Sequence, residues 1–515
     1  MTVYRGLCPQ KLPPKPRYAT LRTLFEPSVT LGHSQHEQVL DSNALVFYFP
    51  SPHTATGEDI LEFHVHGGTA VVKAVLAAIP NAIPKNSPQT IRYAEPGEFT
   101  RRAFYNDRLD LLQVEALGDA LAADTEQQRR LALRGSTNVL AERYEAWRQK
   151  LLYARGELEA LIDFSEDQHF DEAPAKLCAS VAEQVQQLRS QLQANIESAS
   201  RGELLRNGIN IALVGAPNAG KSSLLNQIVG REAAIVSSEA GTTRDVVDVN
   251  VDIGGFYCRF GDLAGLRNQR HDCKTHQVGE VEKEGIRRAR ERALKADVIV
   301  VVLSAEAVND SASSKLKVSI DYEVQELLKQ IDLSSQNVVC VLNKADLFGS
   351  KAHLSNTRST LRHHPALRDF FDLSETQLFA VSCTNTEASN IEYEVDPSGI
   401  QTFLNGLTGL FGRMTAAVVP RDHGGKGNDS AWAESLGTTE RQRLLLSECL
   451  QYLGRFLAEV QPTDDSEGEA DSQENDIDVV LAAESLRSAA DCLAKVTGRG
   501  GSGDVEEVLG VVFEK

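Results

Sequence analysis

No run of the 515-residue sequence approaches the roughly 20 apolar residues that a membrane-spanning helix needs, so no membrane contact is expected. Paired cysteines are missing too. Cys8, Cys178, Cys258, Cys273, Cys340, Cys383, Cys449 and Cys492 are scattered without a CxxC, which suits a reducing compartment better than a disulfide framework or a four-cysteine zinc site. Positive charge is in deficit: 53 Lys and Arg face 72 Asp and Glu, a net charge of −19. A surface that acidic argues against holding nucleic acid mainly by long-range electrostatics. Any nucleic-acid substrate then needs a local basic patch or a basic partner. Residues 1–20 (MTVYRGLCPQKLPPKPRYAT) are basic and Pro-rich, but they lack the apolar core of a secretory signal and make a poor amphipathic helix.

What is present is ordinary globular composition, 42% hydrophobic and 24% charged, in a chain long enough for about three domains. Residues 1–118 are mixed: 44–49 (ALVFYF) and 60–66 (ILEFHVH) read as strands, and 69–79 as a helix after the Gly67-Gly68 turn. From 119 to about 201 glycine is sparse. Leu140, Tyr144, Trp147, Leu151, Leu158, Leu161 and Ile162 recur there at helical spacing. A buried strand at 207–214 then opens a stretch of apolar runs, 298–303, 338–342 and 379–382, separated by helical pattern, as in a doubly wound parallel sheet. Helical text returns beyond 404, clearest at 441–458 and 479–496, with the acidic run 463–478 between them reading as a disordered insertion. The expected fold is multidomain: an α+β domain (1–118), a helical bundle from 119–205 and 405–515, and an inserted α/β domain (206–404).

Gly215-Ala-Pro-Asn-Ala-Gly-Lys-Ser222 matches G-x-x-x-x-G-K-[ST] between an apolar strand and a helical run. Its glycines let backbone N–H groups converge on phosphates; Lys221 reaches the β- and γ-phosphates and Ser222 offers a hydroxyl to Mg²⁺. The contact loop comprises Asn218, Ala219, Gly220, Lys221, Ser222 and Ser223. Asn343-Lys344-Ala345-Asp346 follows the strand VVCVL, where the carboxylate of Asp346 can accept from both N1–H and the 2-amino group of guanine, which adenine does not supply. Ser382-Cys383 at the next strand end completes a base pocket, and GTP is the expected nucleotide. Asp262-Leu-Ala-Gly265 fits D-x-x-G, with Asp262 on the Mg²⁺ side and Gly265 at the γ-phosphate. The next residue is Leu266, which cannot orient water as the Gln of Ras-like switches does, so another group must.

Gly241-Thr-Thr-Arg-Asp245 after AAIVSSEA, with PNAGKSSLLN and DLAGLR, resembles the MnmE (TrmE) tRNA-modification GTPases. GEDILEFHVHGG (57–68) and EPGEFTRRAFYNDRLDLLQVEAL (95–117) are similar to that family's folate-binding domain, and the segment from Tyr144 to IDFSED at 167 to its helical domain. The resemblance implies a Ras-like α/β P-loop GTPase domain and a K⁺ ion that stands in for an arginine finger. Asn218, Ser237, Glu239 and Thr242 would coordinate K⁺, and Thr243 would join Ser222 on Mg²⁺. A cis arginine finger from Arg244 is the lesser reading. Glu282 of Gly279-Glu-Val-Glu would orient water in place of the missing Gln; a solvated helix glutamate is the bland alternative. Glu62 and Arg108 would bind a 5-formyl- or 5,10-methylene-tetrahydrofolate, Arg108 standing where the family usually has Lys.

The family further implies homodimerisation through the N-terminal domain, an MnmG (GidA) FAD protein as partner, and modification of tRNA at C5 of the wobble uridine (position 34), with tRNA held largely by that partner. The rival is a signalling or assembly GTPase without tRNA chemistry, which would have no use for the folate motifs. Three departures stand out: the insertion 268–277 after switch II together with Leu263 where Thr is usual, no counterpart of the family's N-terminal strand, and an end at Val512-Phe-Glu-Lys515 where its cysteine-bearing tail would begin. Both ends are therefore expected to be truncated. The insertions suggest a mitochondrial matrix protein, or a cytoplasmic one if bacterial. Metal readings of His64-Val-His66 and of His271, Cys273 and His276 are weaker than their readings as a strand and a polar loop.

Overall fold

The chain is seen in a computed structural model that describes residues 1–9, 11–27, 39–83, 90–164, 174–216, 218–231, 249–261, 290–310, 313–318, 322–330, 337–348, 378–384, 396, 398–420, 432–460 and 478–498. It divides into two compact units, Met1–Gly118 with Leu493–Lys515, and Asp119–Cys492. Among the described residues no helix is long and apolar enough to cross a membrane.

In the first unit, helix α1 (Thr2–Leu7) precedes an antiparallel meander of β1 (Thr20–Phe25), β2 (Val39–Phe49) and β3 (Ile60–His64), followed by helices α2 (Thr69–Asn81) and α3 (Glu98–Tyr105). The core is Tyr4, Leu7, Leu24, Ala44, Val46, Val75 and Ala78, so one sheet face is sealed by α1 and α2. Six residues cannot sustain a helix in water. Periodicity gave no hint of α1, which persists because Tyr4 and Leu7 are fully buried. Strand β2 begins five residues before its apolar run because Asp41, although buried, is satisfied: it accepts from the amides of Asn43 (2.9 Å) and His66 (2.8 Å) and pairs with the His66 ring (2.9 Å).

The second unit starts from helix α4 (Leu111–Leu121), which straddles the division, and continues through α5 (Glu126–Gly135), α6 (Asn138–Phe164) and α7 (Pro174–Asn207). A capping box opens α5: the Thr125 side chain accepts from the Gln128 amide, and the Gln128 carboxamide closes back on the Thr125 amide. Then comes a mainly parallel sheet, in spatial order β10-β9-β7-β4-β6-β5, built from β4 (Ile209–Val214), β5 (Val249–Ile253), β6 (Phe256–Phe260), β7 (Val298–Asp310), β9 (Asn337–Asn343) and β10 (Leu378–Ala380), with β5 antiparallel at the edge. Helix α8 (Lys221–Arg231) and α10 (Ile400–Met414) cover one face and α9 (Tyr322–Leu328) the other. Val298, Val300 and Val302 face the first layer, Ile299, Val301 and Leu303 the second, which is why this strand reads as one continuous apolar run.

Past Leu303 the alternating text SAEAVND carries β7 into a hairpin with β8 (Ser313–Val318), an extension that apolar runs alone did not reveal. The expected domain boundary at 404 falls inside α10. Its Phe403, Leu404, Leu407, Leu410 and Phe411 are buried on the sheet, and we place the end of the α/β domain after Met414.

Helices α11 (Glu440–Val460) and α12 (Val479–Val496) return to the helical body. Of the acidic run 463–478 only Asp478 is described; it caps α12 by accepting from the Leu481 amide at 3.0 Å. The body from both sides of the α/β domain is joined at a 3₁₀ turn (Glu434–Gly437) packed mainly against α5 and α7 and also touching α6. Asn195 donates to Ser435 (2.9 Å), Thr438 donates to Asn195 (3.2 Å), and the Tyr144 and Thr438 hydroxyls share a bond at 2.9 Å, all fully buried. Arg443 on α11 pairs with Glu203 on α7 at 2.7 Å. Gly202 sits against this turn so closely that a Cβ would lie 1.9 Å from the Leu436 carbonyl oxygen, a backbone atom that cannot step aside. Gly202→Ala is therefore expected to cost about 1–3 kcal/mol by overpacking, read as a lower thermal unfolding midpoint of the full chain. An unchanged midpoint would mean that α7 and the turn separate freely.

Candidate functional site

The carboxyl ends of β4, β9 and β10 point to the same edge of the sheet, β10 beside β9 and β7 between β9 and β4; open α/β sheets bind ligands at such an edge. From β4 the chain enters 215–220 and turns directly into α8. Gly215 packs under β7, where a Cβ would stand 2.4 Å from the Val302 carbonyl oxygen. Asn218 has φ 63° and Gly220 φ 93°, and between them the Ala219 amide donates to the Ala216 carbonyl at 3.2 Å, closing the loop. The Lys221 ammonium donates to the carbonyls of Gly215 (2.7 Å) and Ala216 (2.9 Å), which holds it over the loop. Ser222 and Ser223 occupy the first turn of α8, the positive end of the helix dipole, which favours an anion.

From β9 comes the second loop. The Asn343 side chain, 2% exposed, donates from Nδ2 to the Ala219 carbonyl (2.9 Å) and accepts at Oδ1 from the Lys344 amide (2.8 Å). One buried amide thus bridges the phosphate loop and the base loop. Gly220 makes room for it: a Cβ there would lie 2.0 Å from Asn343 Nδ2. Lys344 turns at φ 61° and delivers Asp346 to the exposed rim.

From β10 comes the third segment. Ser382 donates its hydroxyl to Asp346 Oδ1 (2.8 Å) and shares a second bond with Thr384 (2.8 Å). Its amide donates to the Ser398 carbonyl at 2.8 Å, and the Ala345 amide to the Val381 carbonyl at 3.0 Å. Burial, then the nearby Asp346 charge, pushes the half-buried Cys383 thiol up to about 11, so it is neutral at pH 7. The structure therefore gathers Asn218–Ser223, Asn343, Lys344, Asp346, Ser382 and Cys383 at one edge, with the Asp346 carboxylate oriented by the Ser382 hydroxyl.

Residues 111–515 match the family model for the MnmE helical domain, and residues 1–108 that for the GTP-binding protein TrmE N-terminus. The chain belongs to the MnmE (TrmE) family. It is 35% identical over 98% of its length to the mitochondrial tRNA modification GTPase mss1 of Schizosaccharomyces pombe, covering 87% of that protein. With the tRNA modification GTPase MnmE of Paramagnetospirillum magneticum it shares 35% identity over 93% of its length and 86% of that protein's. With the mitochondrial 5-taurinomethyluridine-[tRNA] synthase subunit GTPB3 of Rattus norvegicus the figures are 36%, 99% and 86%.

Several positions singled out in the sequence lie outside the described residues: Ser237, Glu239, Thr242, Thr243, Asp262, Gly265, Glu282, and the insertion with His271, Cys273 and His276. In the first unit Glu62 is exposed and its carboxylate meets His64 Nε2 at 3.2 Å, both on one face of β3. Arg108 donates from Nε to the Thr54 carbonyl at 3.0 Å. Among the described residues the two make no hydrogen bond to each other. The His64 and His66 rings diverge, to Glu62 and to Asp41, and no cluster of three or more His, Cys, Asp or Glu fit for a metal occurs among the described residues.

Sequence reasoning missed the second role of Asn343 and the part of Ser398. Both act through contacts between segments far apart in the chain. Asn343→Ala removes the bridge and leaves the buried Ala219 carbonyl without its partner, about 1–3 kcal/mol. Roughly 10–100-fold weaker binding of GTP and GDP alike is the expected result in equilibrium titration. Loss confined to the base, with inosine and guanine nucleotides affected differently, would mean that Asn343 reads the base and does not join the loops.

Proposed function

We propose that this member of the MnmE family is a K⁺-activated GTP hydrolase that acts, with an MnmG-type flavin partner, at C5 of the wobble uridine of tRNA. Supporting the hydrolase reading are the Asn343 bridge and the Ser382-held carboxylate at a phosphate loop. The tRNA role rests on relatives named for tRNA modification that match nearly the whole chain. The mitochondrial names among them favour the matrix as location. The folate motifs favour a one-carbon donor in 1–118 and argue against a bare signalling switch.

Ser222 at the start of α8 is a hard oxygen donor of the kind Mg²⁺ takes, with Thr243 as the second hydroxyl. The Asn218 carboxamide, carried on an exposed left-handed residue, offers an oxygen suited to K⁺, with Ser237, Glu239 and Thr242 as the other ligands. A fixed monovalent cation neutralises charge developing on the transferring phosphate without a long side chain. Lys221 neutralises the same phosphates, and Glu282 would orient the attacking water. Glu62 and Arg108, which here meet His64 and the Thr54 carbonyl, would hold a tetrahydrofolate that supplies one carbon. Hydrolysis would drive opening and closing of the GTPase domain, a switch use of the nucleotide.

Turnover of GTP in matched KCl and NaCl buffers tests the cation. The expected result is strong dependence on K⁺, lost in Asn218→Ala; equal rates in the two salts would overturn it. Glu282→Ala should lower turnover by about 10²–10⁴-fold, the worth of a positioned acid–base group, with GTP affinity nearly unchanged. An affinity that falls in step with turnover would make the residue structural.

A further inference from the structure

Residues 1–118 hold 11 Lys and Arg against 11 Asp and Glu, so the entire −19 charge resides in 119–515. Even within the first unit the cations are unevenly placed. Arg5, Lys11, Lys15, Arg17 and Arg22 precede the first carboxylate, Glu26. Elsewhere Arg92, Arg102, Arg129, Arg130, Arg206 and Arg443 each hold a carboxylate. Among the described residues none of the five N-terminal cations does.

This cluster is built and not loose. The buried Tyr4 hydroxyl donates to the Leu12 carbonyl (2.8 Å) and accepts from Arg22 Nε (2.7 Å), while Arg22 also reaches the Leu12 carbonyl at 3.4 Å. Pro13, Pro14 and Pro16 stiffen the segment between. Lys15–Tyr18 forms a turn closed by the Tyr18 amide on the Lys15 carbonyl (3.2 Å), with Pro16 at its second position and Arg17 at φ 62° in its third. That third position favours glycine, and an arginine there is strained. It is held by its amide on the Tyr48 carbonyl (2.9 Å) and its guanidinium on the His53 carbonyl. The turn lays the Lys15 ammonium 4.1 Å from the Tyr18 ring centroid and leaves Tyr18 57% exposed.

An uncompensated cationic turn with an exposed aromatic ring, on a chain otherwise acidic, suits a flexible polyanion with bases to stack. We infer that Lys11 and the turn Lys15–Tyr18 are this chain's own contact with tRNA: Lys11, Lys15 and Arg17 meet backbone phosphates, and Tyr18 stacks on an unpaired base. This rests on the tRNA-modification reading. It answers how so acidic a chain touches RNA at all, through a patch held by carbonyls so that its charge remains available to an external anion.

The test is binding of unmodified tRNA to the full chain, alone and with its flavin partner, across a KCl series. For Lys11→Gln/Lys15→Gln we expect at least about 10-fold weaker binding near ~100 mM salt and a log–log salt slope shallower by about 1.4–1.8, two phosphates' worth. Tyr18→Ala should weaken binding by about 5–100-fold with the slope unchanged. GTP turnover should match the parent chain in every variant. The control Lys73→Gln/Lys176→Gln removes equal charge elsewhere and should leave tRNA binding unchanged. Equal loss in the control, unchanged affinity and slope in the Lys11/Lys15 variant, or no tRNA binding by the parent chain in either setting overturns the inference. Loss of the flavin partner with tRNA binding retained also overturns it, since the patch would then dock protein. Failure of the chain to restore wobble modification in cells lacking their own enzyme would instead sink the reading beneath it.

Discussion

The nucleotide site depends on one buried amide. Asn343, at the end of a central strand, spends its donor on the Ala219 carbonyl, 124 residues away, and its acceptor on the next amide in its own chain. The loops after β4 and β9 are thereby fixed to each other as well as to the sheet. Their other features follow from this constraint. Gly220 is bare because Asn343 fills the space a Cβ would take, and Lys344, whose amide donates to Asn343 Oδ1, turns left-handed directly after it. Polar bonds shielded from water are costly to break one-sidedly, so the spacing of phosphate loop and base loop is resistant to small disturbances.

The sheet that carries these loops was legible because its central strands are buried on both faces. VIVVVL and VVCVL are continuous apolar runs for that reason, and the loops after them carry motifs defined by local spacing. What escaped the sequence depends on contacts between distant residues. Strand β2 hides its polar start because Asp41 is satisfied by His66, 25 residues on. Helix α1 exists only because Tyr4 and Leu7 are buried, and β7 outruns its apolar stretch because β8 pairs with the remainder. In the site, GAPNAGKS and NKAD could be read by eye, whereas the bridge between them and the tie from Ser382 to Ser398 could not.

The helical body is joined to the α/β domain by a different kind of contact. The turn between β5 and β6, which lies in sequence between the two expected switch segments, accepts the Gln127 amide of α5 at its Gly255 carbonyl (3.2 Å). Gln128, the partner in the α5 capping box, donates to the Arg206 carbonyl at 3.0 Å, and Arg206 pairs with Asp119 at 2.8 Å. A helix start, a strand turn and the end of α7 thus share one hydrogen-bonded junction. Helix α5 also packs on the 434–437 turn, next to the buried Tyr144–Asn195–Ser435–Thr438 network that knits the bundle.

The central claim is that a carboxylate, oriented by Ser382 on a loop tied to the phosphates, reads guanine. Equilibrium binding of GTP and XTP to the parent chain and to Asp346→Asn tests it most directly, because xanthine presents an acceptor where guanine presents its 2-amino donor. The account predicts that the parent prefers GTP strongly and that the variant loses GTP by on the order of 100-fold or more while gaining XTP, the size seen when a site's hydrogen-bonding groups are left mismatched by the ligand. A variant that keeps its GTP affinity and ignores XTP would contradict the assignment of Asp346 and the reading of this edge as a guanine site.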